Sequence, residues 1–147
     1  VILHRLNQVQ KNLNTVWGIN WGGCGISALA MYRWLKENDM LIGDESFTYL
    51  YISSDDTFHT NSSVLNEKDN NCKLGSASHI MLYHNGKNHD SKGSDIDYRY
   101  VRSHTGISEE QLLESIRFGL WNDGFGRENW IPVMEQMLNV NLSDIKN

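Results

Sequence analysis

The dipeptide Asn85-Gly86 constrains the fold of this chain more than any other feature. It lies between two runs of extended character, His79-Ile80-Met81-Leu82-Tyr83 and Asn88-His89-Asp90-Ser91, with His84 and Lys87 flanking it. Asn-Gly in that setting predicts a two-residue type I′ β-hairpin, because both central residues must take positive φ and these two do so at little cost. With Asn85-Gly86 at the tip, His84 pairs with Lys87, Tyr83 with Asn88, Leu82 with His89 and Met81 with Asp90. Side chains alternate between the faces of a sheet. His79, Met81 and Tyr83 therefore share one face with Asn88 and Asp90, and His89 lies on the other with Ile80 and Leu82. His79 and Asp90 become diagonal neighbours, within reach of an imidazole–carboxylate hydrogen bond. His84 is left at the turn, and neither it nor His89 has a carboxylate at a comparable position.

The remaining elements follow from periodicity. Leu3, Leu6, Val9 and Leu13 recur at helical spacing and predict a first helix over 2–13. A second helix, 26–38, has apolar residues on nearly every face, which marks it as buried all round. Residues 47–52 fit a strand or a helical turn. Residues 53–78 form a long polar connection of the kind that serves as a lid or binding loop. Ile96, Tyr98 and Tyr100 alternate with Asp95, Asp97 and Arg99, which predicts a third strand over 95–101. Ser108 with Gln111 forms a capping box ahead of the helix face Leu112, Leu113, Ile116 and Leu120. A last helix is expected to start near Pro132 and to carry Val133, Met134, Met137 and Leu138. The order predicts an α+β fold: one domain over 1–147, with a central buried helix packed on a small antiparallel sheet and extra C-terminal helices.

A chain of 147 residues buries enough surface for one domain without covalent staples. Two cysteines, Cys24 and Cys72, read as reduced thiols. Val1-Ile2-Leu3 runs at once into His4, Arg5 and Asn7 without a signal-peptide core, so a cytoplasmic location is expected. Thirteen basic and 18 acidic residues give a net charge of −5, which argues against nucleic acid or an anionic membrane as partner. No apolar run approaches the roughly 20 residues of a membrane span.

Chemistry concentrates at Gly22-Gly23-Cys24-Gly25, just ahead of the buried helix. Helix N-terminal N–H groups lack intrahelical partners, and their partial positive charge favours a thiolate. The glycines let a substrate backbone approach the sulfur. A thiol nucleophile works with a base and a group that orients the base. Cys24, His79 and Asp90 fit those three roles. His4, His59 and His104 read as surface residues. The developing oxyanion needs preorganised donors; the Cys24 backbone N–H and the Asn20 side chain are the candidates, with Asn14 farther away. Trp17 and Trp21 are positioned to wall a substrate groove, and Gly23 and Ser78 adjoin the nucleophile and the base as further substrate contacts. Two isolated cysteines without a Cys-x-x-Cys or His-x-x-x-His spacing predict no metal site, and no cofactor is expected.

The order of these motifs resembles the papain-like and transglutaminase-like thiol enzymes: Gly-Gly-Cys-Gly leading into a helix, His79 in Ser-His-Ile-Met-Leu, then Asp90 in His-Asp-Ser-Lys-Gly. The likeness covers about residues 14–101. The papain signature proper is absent, since Gly25 follows Cys24 and His79 lies only 55 positions beyond it. That compact spacing is more similar to arylamine N-acetyltransferase-like and bacterial cell-wall NlpC/P60-type members, and to small bacterial or phage proteins. Gly18 stands where papain-like enzymes place a glutamine. The resemblance implies a papain-like cysteine-hydrolase core, a peptidase or amidase acting on a protein or peptide through a thioester. An acyltransferase of transglutaminase type and a non-catalytic protein-binding module are the alternatives.

Overall fold

The structure, a computed structural model, describes residues 2–20, 23–51, 79–100, 102–117 and 126–145. Two helices open the chain, α1 (Ile2–Asn14) and α2 (Cys24–Glu37). Five strands follow: β1 (Ser46–Tyr51), β2 (His79–His84), β3 (Lys87–Asp90), β4 (Gly93–Ser94) and β5 (Arg102–Ile107). Helices α3 (Glu109–Arg117) and α4 (Gly126–Leu138) and a 3-10 turn at Ser143–Ile145 complete the described chain. The strands form one antiparallel sheet in the order β4-β3-β2-β1-β5. The protein is α+β.

One sheet face and α2 make the core. Phe47, Tyr49, Tyr51, Ile80, Leu82 and Ile107 are buried in one cluster with Ile26, Leu29 and Met31 of α2. Each large apolar side chain removed from water in this way contributes about 1.5–3 kcal/mol. Leu6, Val9 and Leu13 of α1 and the wholly buried Trp130 of α4 close the same core. Polar ties hold the layers in register. The Trp130 indole donates to the Trp17 carbonyl at 3.0 Å. Arg33 of α2 bonds Glu109 of α3 at 3.0 Å and grips Asp144 with two bonds of 2.7 Å.

The hairpin forms in the expected register, Leu82 opposite His89, Tyr83 opposite Asn88 and His84 opposite Lys87. Asn85 and Gly86 both take positive φ, 53° and 76°, as a type I′ turn requires. The capping box is also present. The Gln111 N–H donates to Ser108 Oγ at 3.1 Å, and the Ser108 N–H donates to Gln111 Oε1 at 2.9 Å. Residues 46–51 form a strand.

Three boundaries differ from the sequence reading. Helix α2 begins at Cys24, two residues early, so the cysteine belongs to the first turn. Residues 95–100 form no strand. Asp95 takes φ 51°, and the Tyr98 N–H donates to the Ile96 carbonyl two residues back at 3.0 Å, a tight turn incompatible with a ladder. Their alternation instead lays Ile96 and Tyr98 over the sheet beside Leu50 and Met81. The strand beside β1 is Arg102–Ile107, where the pairing shifts register at Gly106, φ 94°. Helix α4 begins at Gly126, with Pro132 inside it on an exposed face. The missing proline N–H then orphans only the carbonyl of exposed Glu128. The predicted 53–78 connection, with His59 and Cys72, lies outside the described residues, as do Ile52 and Leu120.

At Gly86 the space a β-carbon would occupy has no neighbour within 4 Å, so only the backbone conformation demands glycine. Gly86→Ala is expected to lower stability by about 1–2 kcal/mol, read as a reduced urea midpoint at unchanged slope.

Candidate active site

The site begins at the start of α2. Gly23 is its N-cap residue, and no side chain caps the helix. The first-turn N–H groups, that of Cys24 among them, face the entering chain with partial positive charge. The Gly23 N–H donates to the Ile19 carbonyl at 3.1 Å, and a β-carbon at Gly23 would lie 2.6 Å from that same oxygen. Glycine here is demanded by the turn that delivers Cys24, whatever a substrate contacts.

His79 opens β2 and Asp90 closes β3. His79 Nε2 lies 2.7 Å from Asp90 Oδ2. With Nε2 committed to Asp90, Nδ1 is the nitrogen that remains for the sulfur. Ile80 and Leu82 point into the core toward α2, so alternation assigns His79 to the other face. As the terminal residue of β2, its ring nonetheless lies near enough to Cys24 for the two to interact electrostatically. Burial opposes a charge on His79, but the bonds to Asp90 and Cys24 and the Coulomb attraction of both outweigh it. The imidazole is raised from its ordinary 6.5 to about 9. Burial likewise pushes the Asp90 carboxyl up, but bonds from His79 and Tyr98 and the Lys92 amide hold it below its ordinary 3.8.

Asp90 is only 4% exposed, and its acceptors are fully engaged. Oδ1 receives the N–H groups of Lys92 at 2.8 Å and Gly93 at 3.1 Å. Oδ2 receives the Tyr98 hydroxyl as well as the His79 ring. The Tyr98 ring also packs on the imidazole, with centroids 4.8 Å apart and planes inclined at 54°. Sequence reasoning missed Tyr98, because its alternating context read as strand. Its spacing of eight from Asp90 carries no signal of its own.

Other expected site residues fall as follows. Asn20 donates from Nδ2 to Asn14 at 2.9 Å and accepts from the Ser91 hydroxyl at 2.7 Å, so its amide bridges the end of α1 to the residue after Asp90. Trp17 is 69% exposed and lines shallow grooves with Asn14–Asn20 and with Asn129 and Val133 of α4. Neither groove is lined by Cys24, His79 or Asp90. Trp21 and Ser78 lie outside the described residues.

The reading that His84 lacks a carboxylate partner is corrected. Its Nδ1 lies 2.6 Å from Glu45 Oε2, both side chains buried, across 39 residues of sequence. Asp44, Glu45 and His84 are grouped tightly enough to suggest metal ligands. The Glu45 carboxylate is already filled by His84 and by the Ile42 and Gly43 N–H groups, both at 2.9 Å. His89 is wholly buried, with Nε2 3.0 Å from the His84 carbonyl and Nδ1 2.6 Å from Ser94 Oγ, which also accepts from Gln10. Burial lowers its pKa, so it serves as a neutral crosslink.

No protein-family model, curated protein or solved structure matches the chain. No helix among the described residues is long and apolar enough to cross a membrane.

Two outcomes are expected. Gly23→Ala forces the Ile19 carbonyl to shift and should cost about 1–3 kcal/mol in thermal or urea unfolding. Because His79 is raised on folding, its contribution to stability is full below about pH 6.5 and is lost as pH rises through about 9. Because Asp90 is lowered, its contribution is full above its ordinary 3.8 and is lost as pH falls through its depressed value. The stability gap between the protein and Asp90→Asn, measured by urea unfolding, should therefore be widest between about pH 4 and 6.5 and shrink on either side. A gap independent of pH would show that the pair is not ionic.

Proposed function

We propose that the protein is a cysteine hydrolase, a peptidase or amidase of papain-like type, acting through a thioester acyl-enzyme. The carrying observation is a single imidazole bonded to a buried carboxylate through Nε2 and interacting with a thiol at a helix N-terminus that no side chain caps. Cys24 Sγ attacks the substrate carbonyl carbon with its proton already held on His79 Nδ1, where the raised imidazole keeps it at neutral pH. Asp90 holds the resulting imidazolium in plane. The oxyanion forms against the Cys24 backbone N–H, with the second Asn20 amide hydrogen as the other donor. The C–N bond then breaks and the leaving nitrogen takes the proton from His79. Water, deprotonated by His79, attacks the thioester; the C–S bond breaks and the thiol is restored. An amine in place of water makes the same cycle an acyl transfer. Asn20's engagement with Asn14 and Ser91 favours the second reading, a binding module with an incomplete oxyanion hole.

Iodoacetamide at neutral pH separates the two. Catalysis predicts that Cys24 alkylates at least about tenfold faster than Cys72, since activated thiols are set apart by their surroundings. His79→Ala should erase the difference. The same protein mixed with p-nitrophenyl acetate should release a burst of nitrophenolate near one equivalent, with a thioester on Cys24 visible by mass spectrometry. Equal, slow alkylation and no burst would leave the module.

A further inference from the structure

We infer that a groove on the sheet face opposite α2 receives the leaving-group portion of the substrate and selects a cationic one, such as a lysine- or arginine-bearing amine. This rests on the hydrolase reading above. His79 must give its proton to the departing nitrogen, so the leaving group departs beside the His79 ring. Two residues border that ring on the sheet side: Tyr98, packed on it, and Leu50, its partner across the β1–β2 ladder. Both line one groove of about 380 Å³, which adjoins the site through these two residues and is not itself lined by Cys24, His79 or Asp90.

The chemistry of the groove is mixed but of one sign. Leu50 and Met81 form an apolar floor, Tyr98 and the half-exposed Tyr100 supply aromatic faces, and Asp95 and Asp97 supply carboxylates. None of the described residues lining it is Lys, Arg or His. A long aliphatic stem on the floor, with its cationic head among aromatic faces and carboxylates, matches the apolar, aromatic and acidic parts of this surface. An anionic ligand meets no positive charge among the described lining residues and is repelled by Asp95 and Asp97, and a neutral polar one forfeits the Coulomb contribution. The groove is preformed: the Asn88 N–H donates to Asp95 Oδ1 at 3.0 Å and the Asp95 N–H returns to the Asn88 carbonyl at 2.7 Å, which anchors the covering segment. Asp97 is exposed and is left to face the ligand. The cleft on the other side of Asp90, about 260 Å³ between α1 and the β3–β4 turn, carries Lys11 and Lys92 instead. The surroundings of the site are thus polar in opposite senses on its two sides.

Two measurements test this separately from the hydrolase reading. First, Cys24→Ala protein, which cannot acylate, is titrated by NMR with Nα-acetyl-arginine amide and with Nα-acetyl-glutamine amide. The arginine compound should bind about threefold tighter or more, as an exposed cation–aromatic contact implies, and Asp97→Asn should reduce the preference. Equal affinities, or a preference left unchanged by Asp97→Asn, overturn the groove. Second, the acetyl-enzyme formed by intact protein is partitioned between water and argininamide or glutaminamide. By microscopic reversibility a leaving-group site also admits the attacking amine, so argininamide should capture the acetyl group several-fold more often. Equal capture, or arginine binding in a protein that forms no acetyl-enzyme, overturns the leaving-group assignment while sparing the groove.

Discussion

A carboxylate that is almost wholly buried has to be satisfied on every side, and Asp90 organises its surroundings to that end. Four hydrogen bonds converge on it, from the His79 ring, the Tyr98 hydroxyl and the Lys92 and Gly93 amides. A buried charge deprived of such partners costs several kcal/mol. The end of β2, the β3–β4 turn and the segment over the sheet are therefore bound to one another through a single side chain. The orientation of the His79 ring follows from that demand, and with it the nitrogen offered to Cys24.

The parts of this arrangement that were legible in the sequence are those set by local rules. Asn85-Gly86 dictates its turn, the turn dictates the register, and the register brings His79 and Asp90 to one face. Ser108 and Gln111 satisfy each other's backbone groups within four residues. What was not legible depends on distant partners or on surfaces. Glu45 reaches His84 from another part of the chain, and nothing near either residue announces it. Tyr98 alternates with charges as a strand would, yet it covers a sheet face. Arg102–Ile107 is a polar edge strand interrupted by Gly106, so it lacks the apolar alternation that marks a central strand. Pro132 resembles a helix start, because the cost of proline within a helix is small where the orphaned carbonyl belongs to an exposed turn.

The sheet divides its labour between faces. The side toward α2 carries the apolar core. The opposite side carries Thr48, Asn88 and the groove under residues 95–100. Cys24 stands at the first turn of α2 and His79 at the start of β2, both at the border of the core and neither sealed into it. In the proposed reaction this border supplies a dry anchor for the base and an open approach for the carbonyl.

The edge strand β4 is two residues long and is followed at once by Asp95 in a left-handed conformation. An unpaired strand edge is a template on which another polypeptide can add. Here the template runs out almost as soon as it begins, and an acidic residue stands at its end. At this boundary the sheet thereby avoids recruiting neighbouring chains into a growing ribbon.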